Sequence, residues 1–478
     1  MLIAGEPADG PGTIEVINPY DGSLIDTVPS AGPEQVAGAL DAAERGATLM
    51  ESMPRVERAA ILTRVASVLE TRSEELARLL CREVGKTIRE ARGEVGRAVQ
   101  TFLLSAEEAR RLAGEVVPFD GAPTGTDRFG FTLRVPVGIV VAITPFNFPL
   151  NLAAHKIGPA IAAGNAVILK PASATPLTDI VLGEILVESG LPPEAVSVIT
   201  GSGATVGDAL VTDPRPRVVT FTGSADVGRA IVGRAGLKRC SMELGSNAAV
   251  IVEPDGDLET AAERSMRGAF ALAGQVCISV QRVLVHTSVY DAFLELAVAV
   301  TEGLHVGDPA DERTDIGPMI DVREARRAEA WIEDALSVGA RRATAGGRGD
   351  SITGALLNPT VLTDVATDAR LWCDEAFAPV VCFRPYSTLD EAIGLVNESR
   401  YGLQAGIYTD DLEAALEAAH RIRCGGVMVN DVPTWRVDLM PYGGEKDSGL
   451  GREGPRYAVE EMSEQRVVGI RRRSRVSA

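Results

Sequence analysis

Val137-Gly-Ile-Val-Val-Ala-Ile-Thr144, Ala166-Val-Ile-Leu-Lys170, Val196-Ser-Val-Ile-Thr200 and Val218-Val-Thr-Phe221 are short β-branched runs, and Ala- and Leu-rich segments of helical length lie between most of them. Continuous apolar runs of this kind suit strands covered on both faces, and the segments between them suit crossover helices. The alternation predicts a parallel sheet. Ala248-Ala-Val-Ile-Val252, Val283-Leu-Val-His286 and Val380-Val-Cys-Phe383 begin a second series, with helices expected over 258–273, 288–303 and 322–338. Two α/β domains are therefore expected, meeting near Leu244. Upstream, 33–48, 56–71 and 74–112 carry apolar residues every three or four positions and read as helices. The stretch 114–134 and the alternating run Gln465 to Ile470 fit neither core. They read as exposed strands, which invite pairing with another subunit.

The bulk properties exclude several classes of partner. With 45% hydrophobic and 24% charged residues the chain has ordinary globular composition. Asp and Glu outnumber Lys and Arg by 66 to 47, and the net charge of −19 repels nucleic acid and anionic lipid alike. An acidic small molecule would need specific arginines to overcome that field. The first residues hold no basic stretch followed by an apolar core, and no apolar run reaches membrane-spanning length. Six cysteines lack CxxC spacing and four histidines are unpaired, so neither a disulfide framework nor a metal site is expected. A cytoplasmic protein is expected, with no metal and no nucleic-acid or membrane partner.

Parallel sheets bind ligands beyond the carboxyl ends of their strands, where helix N-termini present free N–H groups to anions. Two glycine clusters fall there. Thr200-Gly-Ser-Gly-Ala-Thr-Val-Gly207 follows one strand and Phe221-Thr-Gly-Ser-Ala-Asp-Val-Gly228 the next. The first has GxGxxxG spacing in place of the GxGxxG fingerprint, and ordinary strand-to-helix turns also use glycine. Two such loops in succession favour phosphate binding. Lys170 ends its strand on the same rim, placed to donate to a ribose hydroxyl or a phosphate, or simply to be solvated.

Three residues near strand or helix ends carry the elements of covalent chemistry. Cys277 in Gly274-Gln-Val-Cys-Ile-Ser279 is a thiol, Asn147 in Thr144-Pro-Phe-Asn-Phe-Pro149 an amide donor, and Glu243 in Met242-Glu-Leu-Gly-Ser-Asn247 a carboxylate. An aldehyde cannot release hydride from its planar carbon. Thiolate attack makes that carbon tetrahedral, hydride leaves, and an activated water cleaves the resulting thioester. The scheme needs a nucleophile, an oxyanion donor and a base. Each residue alone also has a structural reading: a buried apolar thiol, a turn former, a salt-bridge partner.

Taken together, Thr-Pro-Phe-Asn-Phe-Pro at 144–149, Ile-Leu-Lys-Pro-Ala-Ser at 168–173, Phe-Thr-Gly-Ser at 221–224, Glu-Leu-Gly at 243–245, Gly-Gln-Val-Cys at 274–277, Glu-Ala-Phe-Ala-Pro-Val at 375–380 and Pro-Tyr-Gly-Gly at 441–444 resemble the aldehyde dehydrogenase superfamily in order and separation. The likeness runs from about Asn18 to Arg466. It implies Cys277 as nucleophile, Glu243 as the base for the deacylating water, and Asn147 with the Cys277 N–H as oxyanion hole. It implies that Glu375 and Phe377 hold the nicotinamide ribose and ring and that Gly223 and Ser224 meet the diphosphate. Phe146, Lys170, Ser173, Gly203, Gly207, Thr222, Val227 and Leu244 complete the expected NADP or NAD site. The implied layout is a cofactor domain over 1–117 and 136–245, a catalytic domain over 246–444 and oligomerisation strands at 118–135 and 460–478. A homodimer or homotetramer is implied.

Three departures from the family pattern stand out. Ser246-Asn247 replaces the common Gly-Lys after Gly245, and Glu445 follows Pro-Tyr-Gly-Gly in place of an apolar residue. Ser173 stands where many NAD-preferring members carry a glutamate that would repel a 2′-phosphate, so NADP is admitted or preferred. Arg97 and Arg282 match positions where relatives taking anionic aldehydes place an arginine, and a structural salt bridge is the other reading of each. The run 451–462 is similar to members acting on small hydroxy-, phospho-, phosphono- or sulfo-aldehydes such as lactaldehyde. The expected reaction is oxidation of a small polar or anionic aldehyde to its acid. Coenzyme A as acyl acceptor would be expected without Glu243, and a non-catalytic nucleotide-binding paralogue without one of the three catalytic residues.

Overall fold

The computed structural model describes residues 1–472. Five parallel strands, Val196–Val198, Ala166–Lys170, Ile139–Ile143, Val218–Thr222 and Arg239–Glu243, lie side by side in that order at the centre of an eight-stranded sheet. All are buried throughout except the start of the last, as expected where helices cover both faces. Antiparallel Leu2–Ile3 joins one side and antiparallel Gly449–Leu450 closes the other. The chain then crosses through 244–248 to a seven-stranded sheet ordered Arg341–Arg342, Thr360–Thr363, Val380–Tyr386, Arg282–His286, Ala249–Val252, Gln404–Tyr408 and Gly426–Val429. Each sheet organises its own large apolar core.

Helix Pro149–Ala163 is buried along its whole length in the interior of the first core, and its three polar side chains, Asn151, His155 and Lys156, are buried with hydrogen-bond partners. Two expected helices differ from their sequence reading. The single helix over 74–112 is divided into Ser73–Val84 and Ile88–Arg111. Gly85 takes φ +81° between them, and a side chain there would collide with Pro19 and Pro318. Thr87 and Glu90 then form a reciprocal capping box that starts the second helix. The helix expected over 258–273 stops at Phe270, because Leu272, Ala273 and Gly274 all have positive φ. Leu272 and Ala273, both strained there, and Gly274, which adopts positive φ freely, lead directly into Gln275-Val-Cys277.

Strands Ser463–Arg471 and Arg128–Pro136 pair antiparallel over nine positions, with Val116–Val117 outside them. Val116, Phe129, Leu133, Val467 and Ile470 are exposed on these strands. The end of the strand segment expected over 460–478, from 473 onward, lies outside the described residues. Among the described residues no helix is long and apolar enough to cross a membrane.

Candidate active site

Parallel register sets the carboxyl ends of adjacent strands at one level. Thr222 pairs with Glu243 and Ile143 with Lys170, so the segments after these residues emerge along one edge of the first sheet. A cavity of about 1130 Å³ opens there, lined at one end by Lys170, Gly203 and Ser224 and at the other by Cys277, Glu243 and Arg436. Asn147, Phe146, Gly207, Thr222, Gly223, Val227, Leu244, Glu375, Phe377 and Arg97 also line it. Ser173 does not. It is exposed, and its hydroxyl donates to the Gly201 carbonyl at 3.1 Å.

The Cys277 sulfur lies 3.0 Å from the Tyr442 hydroxyl. Burial above all pushes the thiol pKa up to about 11, with Glu375 and Glu243 acting in the same direction and Tyr442 and Arg436 opposing them. Glu243, the last residue of its strand, is buried, and among the described residues neither carboxylate oxygen has a hydrogen-bond partner. Burial and the neighbouring Glu453 hold its pKa well above the carboxylate range, against Arg436, Lys156 and Arg452.

Asn147 is anchored from both directions. Its side-chain amide donates to the Gln275 carbonyl at 2.7 Å, and its own carbonyl accepts from the Lys86 ammonium at 2.7 Å. Lys86 is fully buried, forms an ion pair with equally buried Glu94, and lies over the Phe148 ring. Glu94 in turn accepts from the Leu150 and Asn151 N–H groups at the start of helix Pro149–Ala163. One buried ion pair thus ties the Asn147 loop to helix Ile88–Arg111. The strained cysteine loop is clamped in the same manner. Gln275 donates to the Leu272 carbonyl at 3.0 Å and accepts from the Ile320 N–H at 2.9 Å.

At the other end of the cavity Ser224 caps helix Ala225–Arg234, accepting from the Val227 N–H. Ser202 caps the π-helical turn Gly203–Gly207. Lys170 donates to the Pro171 carbonyl at 2.8 Å, and burial lowers its pKa to about 8. Midway, Phe146 meets Phe377 edge-on, with ring centroids 5.9 Å apart. Phe377 has φ +47°, a strained conformation concentrated at functional sites. Glu375 accepts from the Ser246 N–H at 3.0 Å, and burial raises its pKa to about 7. A side chain at Gly245 would lie 2.2 Å from the Glu375 carboxylate, so glycine is required for that approach.

The two arginines expected at the substrate end have different fates. Arg97 lines the cavity with its guanidinium doubly bonded to Asp438, at 2.7 and 3.2 Å. Arg282 is corrected: it is 2% exposed, off the cavity wall, and donates to the carbonyls of Asn247, Leu395 and Val396. Its strand position turns it into the joint between the second sheet and helix Leu389–Asn397, where backbone carbonyls absorb its donors. Asn247, one of the departures, belongs to that joint, donating to Trp372 and Cys373 carbonyls and accepting from Ser399. Glu445 is exposed on a two-residue strand beside Tyr401–Gly402, where a charge is solvated.

Sequence reasoning missed Arg436, Lys156, Glu453 and the separate role of Tyr442. Arg436 lies 3.7 Å over the Tyr442 ring and donates to Glu453 at 3.1 Å, and among the described residues its Nε has no partner. Lys156 bonds the other Glu453 oxygen at 2.9 Å. Asp438, bonded to Arg97, also reaches His155 at 2.8 Å, and these partners hold its carboxyl far below the usual range. Burial and Arg436 lower the His155 pKa, against Asp438 and Glu453. Three cations, Arg97, Arg436 and Lys156, therefore face the Asp438 and Glu453 carboxylates behind Glu243.

Comparison with known proteins identifies the family. Residues 6–468 match the aldehyde dehydrogenase family. The 3-sulfolactaldehyde dehydrogenase of Priestia aryabhattai is 47% identical over 468 residues, covering 98% of this chain and 97% of that protein. The crystal structure of aldehyde dehydrogenase 21 from Physcomitrella patens, in complex with the reaction product succinate, is 41% identical and superposes with TM-score 0.95 over 100% of this chain and 98% of that one. Glyceraldehyde-3-phosphate dehydrogenase from Methanocaldococcus jannaschii, complexed with NADP, is 41% identical with TM-score 0.92 over 96% of this chain and 99% of that one. With a nucleotide-sized cavity, a thiol and a carboxyl at its end, and a match across nearly its whole length, the chain belongs to the aldehyde dehydrogenase family and is an NAD(P)-dependent aldehyde dehydrogenase.

Proposed function

We propose that the enzyme oxidises a small anionic aldehyde to its carboxylic acid through a thiohemiacetal and a thioester on Cys277. The observation that carries the reading is a single cavity wall holding the Cys277 thiol, the unpartnered Glu243 carboxyl and the Arg436 guanidinium. The ionised sulfur adds its electron pair to the aldehyde carbon, and the carbonyl pair moves onto oxygen. One Asn147 amide hydrogen is engaged by Gln275, which leaves the other, with the Cys277 N–H, to stabilise that oxyanion. When bound, the nicotinamide supplies the hydride acceptor. Glu243, once ionised, takes a proton from the water that cleaves the thioester, and it faces no competing hydrogen bond.

The residues of the cavity fit a dinucleotide. The N-terminus of helix Ala225–Arg234 with Gly223 suits a diphosphate, Lys170 and Glu375 suit ribose hydroxyls, and Phe377 suits the ring. Ser173, beside cavity-lining Ala172, brings no carboxylate that would repel a 2′-phosphate, which supports NADP as well as NAD as cofactor. The surplus of cations around Asp438 and Glu453 favours an anionic substrate, and sulfolactaldehyde, succinate and glyceraldehyde-3-phosphate in the relatives' names all carry anionic groups. The first sheet serves as the cofactor domain and the second as the catalytic domain. The exposed apolar residues on strands Arg128–Pro136 and Ser463–Arg471 support assembly as a homodimer or homotetramer.

The test is a panel of 3-sulfolactaldehyde, succinic semialdehyde, glyceraldehyde-3-phosphate, lactaldehyde and propanal with each cofactor, read by reduced-nicotinamide fluorescence. The anionic members are expected to give the highest kcat/KM, and Cys277→Ala to abolish turnover with cofactor affinity retained. Equal kcat/KM for propanal and the anions, or turnover by the alanine variant, would overturn the proposal.

A further inference from the structure

We propose that Tyr442 is a catalytic residue whose hydroxyl donates a hydrogen bond to the Cys277 thiolate, with Arg436 over its ring strengthening the donor. The inference rests on Cys277 being the nucleophile. The sulfur and hydroxyl are 3.0 Å apart, within reach of a hydrogen bond to sulfur. Tyr442 is 2% exposed and the guanidinium lies 3.7 Å from its ring centroid. A cation on the π face withdraws electron density from the phenol and makes its O–H a stronger donor.

The electrostatics around the sulfur make this donor consequential. Glu243 and Glu375 face Cys277 and disfavour its ionisation, and burial does so most of all. Arg436 opposes them, and behind it Glu453 is shared with Lys156. Tyr442 is the other group that lowers the thiol pKa. Burial and Cys277 keep the phenol protonated far above its usual range, so it remains a donor at any working pH. Ionisation sends the thiol proton to water while the tyrosine keeps its own. As the sulfur pair becomes the C–S bond, sulfur loses its negative charge and the hydrogen bond slackens. The hydroxyl thus acts before attack and does not follow the carbon into the acyl intermediate.

The experiment is the pH dependence of Cys277 alkylation by iodoacetamide, with the modified residue identified by mass spectrometry. Tyr442→Phe keeps the ring and its stacking and deletes one oxygen. A hydrogen bond to a charged group corresponds to a midpoint about 1 to 2 pH units higher in the variant. At neutral pH the thiolate fraction falls about 10- to 100-fold, and the greater nucleophilicity of the less stabilised thiolate recovers part of that rate. Replacing Tyr442 with 3-fluorotyrosine, a more acidic phenol in the same fold, is expected to move the midpoint down. Unchanged midpoints in both proteins would overturn the inference. Loss of turnover in Cys277→Ala together with unchanged midpoints would leave the proposed reaction standing and remove only Tyr442 from it, whereas turnover in Cys277→Ala would remove both.

Discussion

Replacing Lys86 by Met removes the cation that ties the Asn147 carbonyl to Glu94 while keeping a long apolar side chain over Phe148. Glu94 is then a buried carboxylate held only by the Leu150 and Asn151 N–H groups. Breaking a buried pair in this way costs about 3–5 kcal/mol. An unfolding entropy of about 2.1 cal/mol/K per residue over 478 residues is about 1 kcal/mol/K, so cooperative unfolding should shift down by about 3–5 °C. Lys86→Met/Glu94→Gln removes the stranded charge as well and should recover part of that loss. The catalytic consequence is separate. Without the Lys86 donor the Asn147 loop relaxes, and an oxyanion donor misplaced by about 1 Å costs on the order of 100-fold in acylation. Calorimetry of the two variants and stopped-flow measurement of the reduced-cofactor burst check both parts. A Tm within 1 °C of the parent, or a parental burst rate in Lys86→Met, would refute the idea that this ion pair positions Asn147.

The remaining predictions concern the cavity itself. Glu243→Gln should give a burst of reduced cofactor without steady turnover, and parental turnover would contradict its role in deacylation. Ser173→Glu should weaken NADP more than NAD, since only the former carries a 2′-phosphate; equal weakening of both would contradict it. Arg436→Met should raise KM for anionic aldehydes about 10-fold or more while leaving propanal nearly unaffected, because charge-assisted hydrogen bonds contribute roughly 1.5–3 kcal/mol. Cofactor kcat/KM should be bell-shaped in pH. Glu375 must be ionised to accept ribose hydroxyls, which holds above about 7, and Lys170 must be protonated, which holds below about 8. Glu375→Gln should flatten the acid limb alone and Lys170→Gln the alkaline limb alone; retention of both limbs in either variant would contradict that assignment.

The sequence made legible what short-range pattern encodes. Apolar runs at 139–143, 166–170 and 218–222 became the buried parallel strands, and their carboxyl ends became the floor of the cavity. The division of the helix expected over 74–112 was also written locally, in Gly85 followed by the Thr87-x-x-Glu90 capping pattern, but continuous helical periodicity on both sides outweighed it. The turn before Cys277 left a weaker trace. Leu272 and Ala273 are good helix formers held at positive φ by tertiary contacts, among them the Glu90 carboxylate accepting from the Leu272 N–H at 2.7 Å.

The charge arrangement at the substrate end was not legible, and the reason is distance along the chain. Arg436 meets His155 across 281 positions and Asp438 meets the same histidine across 283, so no window of sequence contains the cluster. Matching Arg97 and Arg282 to family positions identified two arginines without revealing where their charges are spent. Asp438 neutralises the first, and three backbone carbonyls absorb the donors of the second. Arg436 lines the cavity, and Glu453, the carboxylate it bonds, is shared with Lys156. The available positive charge thus results from a stoichiometry among buried side chains. The same arginine stacks on the tyrosine that touches Cys277, so substrate charge and thiol ionisation are coupled through one guanidinium. An anion bound to Arg436 would weaken its pull on the thiol and raise the Cys277 pKa, which leaves the Tyr442 hydroxyl as the group opposing burial when an anionic aldehyde is in place.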